Sequence, residues 1–368
     1  MKKLFFIAAI ASVALASCVK NEVAPTAMQQ DEITFATPVV GNLTKGIITG
    51  TDFTESTFNV YGWYCADAAN GGSDAYDDTK ADEYMPNTTV TLNDTFDSTE
   101  DVGTGAWFPA NTYYWPKNGK LTFDAYYPSD LQTPFGASAT VAFDKKAGVS
   151  FSNVVVPVVL TNPTDLLYSN RTYDQVASTG AIAKYDGVDI NFNHALSAVY
   201  FNVKALDDET VAGVKIKSLT VTAYNKGDFT HGITGTSGSY TPNPGWTVKT
   251  TETPVDYQFI TSTSWTDATA LTTAGETLAT YAILLPQTFD AKVKITIEYY
   301  IARGTDYTFS ETKTYVLNNN YKDNSENAID KWEMGKKYTY NFTFDFNSVY
   351  FAAAVDNWDS VDMKPFAI

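Results

Sequence analysis

The 368-residue sequence has few of the side chains that carry out hydrolytic or redox chemistry. It contains two histidines and two cysteines, and charged residues make up only 18% of it. The HExxH, GxSxG, Walker-loop and CxxC motifs are missing, which excludes the common signatures of zinc enzymes, serine hydrolases, nucleotide-binding proteins and thiol-redox proteins. We therefore expect no enzymatic activity and no cofactor. A pair of catalytic carboxylates stays open, because 42 acidic residues offer many pairs of unknown separation.

Positive charge is also scarce, and the formal net charge is −17. Phosphate backbones and anionic lipid headgroups repel such a chain, so we expect no nucleic acid partner and no binding to an acidic lipid surface. Asp74, Asp77 and Asp78 could bind calcium through carboxylate oxygens, but a solvated acidic loop is favoured and we predict no metal site. His194 lies in phase with apolar neighbours and is expected to be a hydrogen-bonded core residue, whereas His231 is expected to be solvated.

Long apolar runs are missing except at the N-terminus. Two lysines precede the apolar run from Leu4 to Ile10, and a stretch of small residues ends at Cys18. This pattern is typical of a lipoprotein signal peptide, residues 1–17, with Cys18 as the lipidated residue. An ordinary secretory signal is the alternative. We expect a lipid-anchored protein of the outer membrane and cell surface, in which Cys65 is the one remaining thiol and lies in a buried strand.

The rest of the sequence is rich in aromatic residues, with 24 tyrosines and 22 phenylalanines, which suit pleated surfaces. Apolar segments of period two recur, and no convincing amphipathic helix separates them, which predicts an all-β protein with two tandem β-sandwich domains. We place the domains at 46–185 and 186–346, after a propeptide (18–45) that contains the first strand and before a tail (347–368). Strands are expected near residues 58–65, 88–92, 121–127, 154–160, 188–194, 198–203, 214–224, 279–285, 293–301, 312–317 and 337–346.

Several short strings resemble signatures of the fimbrillins, the FimA-type and Mfa-type pilins of the Bacteroidales. Each string is weak alone, but their order and spacing span nearly the whole chain after Cys18. They are YYWP at 113–116, LTFDAYYP at 121–128, DLLY at 165–168, FNHAL at 192–196, LPQ at 285–287, WEMGKKY at 332–338 and VDNW at 355–358.

This resemblance implies two transthyretin-like β-sandwich domains and export as a lipoprotein precursor. It also implies that a protease removes the N-terminal strand and that a donor strand of another subunit fills the vacated groove. In this sequence the cut would fall most naturally between Lys45 and Gly46. Processing in the family is described as arginine-specific, yet the only arginines here are Arg171 and Arg303. Either a lysine-accepting protease acts, or the strand is retained and Lys45 is an ordinary loop residue.

Two segments share one apolar pattern, independently of the family. Residues 33–39 and 349–355 align without gaps, with an aliphatic residue, a phenylalanine and a valine at matching positions. The tail is therefore a candidate donor strand, and coincidence or an ordinary last strand are the alternatives. Because alternate side chains of a strand face one side, the core-facing residues are expected to be Ile33, Phe35 and Val39 in the first strand and Val349, Phe351, Ala353 and Val355 in the tail.

The leading hypothesis is a structural fimbrial subunit, with copies of itself or related pilins, a processing protease and the outer membrane as partners. A rival is a lipid-anchored carbohydrate-binding protein of a glycan-uptake system. For that rival, Tyr113, Tyr114 and Trp115 could form a sugar-stacking platform, although such clusters more often close the end of a β-sandwich. The third hypothesis is an enzyme of unknown type, which would need a cleft with closely placed carboxylates.

Overall fold

The structure is a computed structural model. The predicted signal peptide, Cys18, Lys45, Gly46 and Asp74 lie outside the residues that it describes. Within the described part of the chain, no helix is both long enough and apolar enough to cross a bilayer. The described residues are 32–41, 57–66, 75–92, 107–177, 187–318, 321–323, 327–346 and 348–358.

Strands dominate the described residues, and the helices among them are the short α1 (Gln132–Phe135) and α2 (Asp208–Gly213). The strands of the first half of the chain are β1 (Val39–Val40), β2 (Thr57–Cys65), β3 (Asp82–Leu92), β4 (Trp107–Pro109), β5 (Lys120–Tyr127), β6 (Thr140–Asp144), β7 (Gly148–Val155), β8 (Leu167–Ser169) and β9 (Thr172–Gln175). Those of the second half are β10 (Asn191–His194), β11 (Ser197–Ala205), β12 (Val214–Ala223), β13 (Lys226–Thr230), β14 (Thr234–Thr236), β15 (Ser239–Thr241), β16 (Gly245–Val248), β17 (Val255–Thr261), β18 (Thr269–Ala270), β19 (Glu276–Thr277), β20 (Ala282–Leu284), β21 (Gln287–Thr288), β22 (Lys294–Ile301), β23 (Ser310–Val316), β24 (Lys331–Trp332), β25 (Lys336–Phe344) and β26 (Val349–Asn357).

The period-two pattern of the sequence becomes alternate burial along these strands. In β25, Tyr338, Tyr340, Phe342 and Phe344 are buried, while the residues between them are half-buried on the opposite face. β-branched and aromatic side chains fit such a pleated, one-sided surface. The predicted all-β fold is thereby confirmed.

Four larger sheets organise the described strands. The first sheet has the order β1-β10-β8-β5-β2-β3-β4, with β9 on β5, and the second has the order β16-β13-β7-β6. The third sheet has the order β17-β12-β22-β23, with β18 on β12. The fourth has the order β19-β11-β25-β26, with β20 on β11. β26 therefore lies at an edge of the fourth sheet.

Three larger apolar clusters form the core of the described residues. Side chains of the third and fourth sheets share one cluster, in which Phe201 of β11 and Ile295 of β22 are buried. The first sheet encloses a separate cluster of its own, with Phe58, Phe123 and Phe192 fully buried. A third cluster joins β7 and β13 to the start of β11.

Strands on both sides of residue 186 share two of these sheets. β10 follows that position but pairs with β8 of the first sheet, and β13 pairs with β7 of the second. The division of the chain at residues 185 and 186 accordingly stays a prediction.

The single-residue predictions had mixed outcomes. His194 is a buried core residue, as predicted, and its Nδ1 lies 2.5 Å from Oδ2 of Asp165. Cys65 was expected to be buried, but it lies half-buried at the end of β2, where its thiol donates to the Asp77 carbonyl oxygen at 3.5 Å. Asp77 accepts hydrogen bonds from Thr79 within its own turn. No cluster of metal-binding side chains occurs among the described residues.

The prediction that His231 is solvated was wrong. Only 1% of its surface is exposed, its ring meets the ring of Tyr168 edge-on at 5.3 Å, and Nδ1 has no hydrogen-bond partner. The backbone explains the burial, because the His231 N–H donates to the Val149 carbonyl oxygen and continues the pairing of β13 with β7. A buried imidazole without a partner is held neutral.

His231 should make stability depend on pH. Burial lowers the pKa of His231 from 6.5 to about 4. Between those values the unfolded chain binds the extra proton, so stability is lost as the pH falls from 6.5 towards 4. We expect this group to cost about 2 kcal/mol of unfolding free energy between pH 7 and pH 5. Urea unfolding at both pH values should show that His231→Leu loses correspondingly less stability on acidification than the native chain, and equal losses would contradict this assignment.

Candidate functional site: the first strand and the C-terminal strand

The segment 32–41, here called the first strand, closes the first sheet on itself. On one side it bonds to the β4 edge, where the Phe35 N–H donates to the Trp107 carbonyl oxygen at 2.9 Å and the Trp107 N–H returns a bond at 3.1 Å. The Ile33 N–H donates to the Tyr113 carbonyl oxygen at 2.8 Å. The first strand thus covers an edge that would otherwise present unpaired backbone groups.

The other side of the first strand pairs with the approach to β10. The Ala36 N–H donates to Val188 O at 3.0 Å, and the Val188 N–H donates to Thr34 O at 2.8 Å. Further along, β1 runs parallel to β10, with Val40 beside Phe192. The first strand is therefore held on both sides by backbone hydrogen bonds and fills a gap between the two ends of the sheet.

Side chains of the first strand complete the core of the first sheet. Ile33 is 1% exposed and Phe35 is fully buried. The Phe35 ring meets Phe123 edge-on at 5.5 Å and Phe58 edge-on at 6.1 Å. Removing the first strand would expose these aromatic rings and leave an apolar groove.

Pro38 shifts the phase of the first strand. In an unbroken strand the donor positions on the β10 side would be 36, 38 and 40, but proline has no N–H. Val39 and Gly41 donate there instead, to Ile190 O at 3.1 Å and Phe192 O at 3.0 Å. This one-residue bulge changes which side chain faces the core.

The inward positions of the first strand are consequently those of Ile33, Phe35, Pro38 and Val40, all of which are buried. Val39, which the sequence pattern places on the inner face, is half-buried. After Pro38 the buried apolar position therefore moves by one residue, from the expected Val39 to Val40, and Thr34 between Ile33 and Phe35 is also buried.

The C-terminal strand β26 occupies an edge position. It pairs antiparallel with β25 along its whole length, from Val349 beside Phe344 to Asn357 beside Lys336. On its other side the described residues contribute one isolated bridge, between Asp323 and Ala353. In this conformation the segment is the last strand of its own sheet, and a full-length ladder holds it on one side.

Alternate residues of β26 face the core of its sheet. Val349, Phe351, Ala353 and Val355 all contact the cluster between the third and fourth sheets, whereas Tyr350 is 55% exposed. The Phe351 ring lies 5.1 Å from Tyr315 and 5.2 Å from Phe342.

Tyr315 also anchors the start of β26. Its hydroxyl donates to the Val349 carbonyl oxygen at 2.8 Å. Burial raises the pKa of Tyr315 to about 12, so the hydroxyl keeps the proton that it donates.

The aromatic residues at 113–115 close one end of the first sheet. Tyr113 and Trp115 are half-buried against its core, and the Trp115 ring meets Phe123 edge-on at 6.3 Å. Tyr114 is 41% exposed, and its carbonyl oxygen accepts a hydrogen bond from Tyr84. This packing matches the sandwich-closing alternative more closely than a sugar platform.

Gly187 permits the close approach of the first strand. Its φ is +65°, and a Cβ at this position would lie 2.3 Å from the Ala36 nitrogen and 2.4 Å from the Phe35 carbonyl carbon. We expect Gly187→Ala to displace the first strand and to raise the rate of proteolysis near residues 32–41 by about tenfold or more.

The matched control for this variant is Gly304→Ala. Gly304 has a φ of +63°, and a Cβ at this position would have no atom within 4 Å, so the backbone cost is similar and the clash is missing. Limited proteolysis followed by mass spectrometry compares the two variants. Equal cleavage in both would show that close contact at Gly187 does not hold the first strand.

Comparison with known proteins gave a family match and several related structures. The fimbrillin-like family model matches residues 49–358. A fimbrial protein of Bacteroides vulgatus is 18% identical with a TM-score of 0.49, and the match covers 88% of this chain and 99% of that one. For a candidate cell adhesion protein of Bacteroides uniformis the identity is 17%, the TM-score 0.46 and the coverage 90% and 99%. For a fimbrilin of Porphyromonas gingivalis these values are 10%, 0.37, 89% and 98%.

No curated protein matches the sequence. The family model spans most of the chain, including the strings at 113–116, 192–196 and 355–358 on which the resemblance was based. The chain belongs to the fimbrillin-like family.

Proposed function

We propose that this chain is a structural fimbrial subunit that polymerises by donor-strand exchange. It is exported as a lipoprotein precursor with lipid on Cys18, and a protease cuts between Lys45 and Gly46. The first strand then leaves, and the C-terminal strand of a second copy or a related pilin takes its place. The fibre stands on the cell surface, beyond the outer membrane that holds the precursor.

One observation carries this proposal. The first strand is bonded on both sides, through Trp107 and Val188, yet it lies at the N-terminal end of the described chain. A cut after Gly41 would therefore detach it without breaking any other strand among the described residues. The gap left behind has two open backbone edges and an apolar floor, which is the geometry that an added strand recognises.

The inward side chains of the tail match those of the first strand more closely than the ungapped sequence alignment indicates. The buried apolar side chains of the first strand are those of Ile, Phe, Pro and Val at 33, 35, 38 and 40. An unbulged tail strand presents Val, Phe, Ala and Val to one face in the same order, at 349, 351, 353 and 355. Because the bulge at Pro38 absorbs one residue, each inward residue of the tail can fall on an inward position of the first strand.

Pairing energy is nearly equal for the tail and the first strand. In the register set by the bulge, the Ala354 N–H would donate to the Ile190 carbonyl oxygen, which already accepts from Val39 in the first strand. Burial of two or three large apolar side chains contributes about 1.5–3 kcal/mol each, and ordering seven residues costs a comparable amount. Permanence of the fibre then depends on slow release of the strand.

The proposal is tested by cutting the chain on demand. A specific protease site placed within residues 42–48 allows the purified full-length protein to be cleaved, and electron microscopy with sedimentation then follows assembly. We expect fibres after cleavage and none before it. Deleting residues 347–368 should leave the cleaved protein monomeric, and fibres that form without the tail would refute the proposed donor.

A further inference from the structure

The end of β26 is held by a socket for Trp358. Trp358 is 2% exposed, its ring stacks on the His194 ring at 4.0 Å with an interplanar angle of 10°, and its backbone N–H donates to the Gly335 carbonyl oxygen at 2.9 Å. Asp165 orients the imidazole through Nδ1 at 2.5 Å. Trp358 thereby joins the C-terminal strand to β10 of the first sheet.

This socket borders the end of the first strand. A cavity of about 210 Å³ is lined by Gly41 of the first strand, by Asn193 and His194 of β10, and by Met334 and Trp358. Two buried polar atoms at this place, Nε2 of His194 and Nε1 of Trp358, have no partner. The places where the first strand ends and where the C-terminal strand ends are therefore neighbours in the same subunit.

The pairing of the first strand with β10 determines where an incoming tail would end. In the first strand, Val40 lies beside Phe192 in a parallel pair. A tail whose Val355 takes the position of Val40 would continue parallel to β10 and bring its Trp358 beside residue 195. Residue 195 directly follows His194. In this register Trp358 lies two residues beyond the position of Gly41, and two residues of an extended strand span about 7 Å.

We infer that the socket of each subunit, emptied when its own tail leaves, is refilled by Trp358 of the neighbouring subunit. This inference rests on the proposed function and goes beyond it, because it assigns an aromatic anchor site to the subunit interface. The ligand is the indole of a second copy of this chain. His194, held by Asp165, provides the stacking surface in both states.

A photo-crosslinking experiment tests the refilled socket. Trp358 is replaced by p-benzoylphenylalanine in the full-length chain that carries the protease site, and equal amounts of ¹⁵N-labelled and unlabelled protein are mixed, cleaved and irradiated. Before cleavage we expect crosslinks to Met334 within one isotopic chain. After assembly we expect crosslinks to Met334 that join labelled and unlabelled chains.

The matched control places the same photoprobe at Trp265. That residue contacts Tyr307 and Lys215 in its own subunit, so its crosslinks should stay within one isotopic chain before and after assembly. The inference would be overturned if fibres form but the photoprobe at position 358 gives no crosslinks between chains. Crosslinks between chains that map away from residues 193–196 and 334–336 would overturn it as well. A cleaved protein that stays monomeric in sedimentation would instead refute the proposed function, and the inference with it.

A second variant decides the question where the photoprobe hinders assembly. Trp358→Ala removes the anchor without adding bulk, and we expect its fibres to release subunits about tenfold faster, or more, than Trp265→Ala fibres in the same urea solution. Equal release rates would contradict the refilled socket.

Discussion

Asp124→Ala is expected to destabilise the protein by about 3–5 kcal/mol, because it leaves a buried guanidinium without its counter-charge. The Arg171 and Asp124 side chains are 1% and 0% exposed, and Nη2 of Arg171 lies 2.7 Å from Oδ2 of Asp124. Nε of Arg171 donates to Oδ1 at 3.0 Å, and the Trp63 indole N–H donates to Oδ2 at 3.2 Å.

The Arg171 guanidinium also ties separate elements together. Its Nη1 donates to Lys145 O at 2.8 Å, and its Nη2 donates to Asp144 O at 2.9 Å. The ion pair therefore links β5 of the first sheet to the turn after β6 of the second. Loss of Asp124 removes the charge compensation and loosens this link.

The free energy of unfolding in urea, followed by tryptophan fluorescence, measures the effect. Glu252→Ala is the control, because Glu252 and Lys226 form an ion pair whose side chains are 47% and 41% exposed. An exposed pair contributes about 1 kcal/mol or less. A loss for Asp124→Ala no larger than that of Glu252→Ala would contradict the structural role given to the buried pair.

Phe35→Ala is expected to cost about 3–5 kcal/mol in the uncut chain, because it empties a fully buried aromatic position. Phe35 is 0% exposed and packs edge-on against Phe58 and Phe123. The cavity would open in the core of the first sheet, at the centre of the contact between the first strand and its groove. Detachment of the first strand should become easier as well.

Urea unfolding measures this loss, and Phe35→Leu is the matched control. Leucine keeps most of the apolar volume, so the control should lose less than half as much stability as Phe35→Ala. Hydrogen exchange of residues 32–41 should increase in Phe35→Ala while that of β12 and β22 is unchanged. A uniform increase across the whole chain would show that the first strand is not a separately detachable element.

Much of the fold could be predicted from the sequence, because its signals are local. The predicted strands at 214–224, 293–301 and 337–346 correspond to β12, β22 and β25, in which apolar and polar residues alternate over most of the strand. The pattern of β17, with Tyr257 and Phe259 on one face, carries the same signal, although we did not predict a strand there.

Other features depend on backbone chemistry that hydrophobic periodicity does not report. The strand predicted at 154–160 was wrong over most of its length, because β7 covers Gly148–Val155 and Pro157 cannot donate a ladder hydrogen bond beyond it. Pro38 likewise produces the bulge that moves the inward position from Val39 to Val40. Both prolines were visible in the sequence. The end of a strand at Pro157 and the change of phase at Pro38 could therefore have been anticipated.

The remaining differences come from contacts between distant parts of the chain. The Gly227-Asp228 pair before His231 is typical of a turn in sequence, yet it lies in β13, whose pairing with β7 buries His231. The stack of Trp358 on His194 joins residues that are far apart in the sequence, and no local pattern indicates it. The socket for Trp358 therefore depends on tertiary contacts. The sequence alone indicated only that residues 33–39 and 349–355 share an apolar pattern.

The central claim is that the first strand is a removable part of the precursor and that a neighbouring subunit replaces it. Mass spectrometry of the N-terminus of subunits purified from cell-surface fibres tests this claim most directly. We predict a chain that begins at Gly46, without lipid and without residues 18–45. Fibres built of chains that still carry a lipidated Cys18 and the first strand would contradict it.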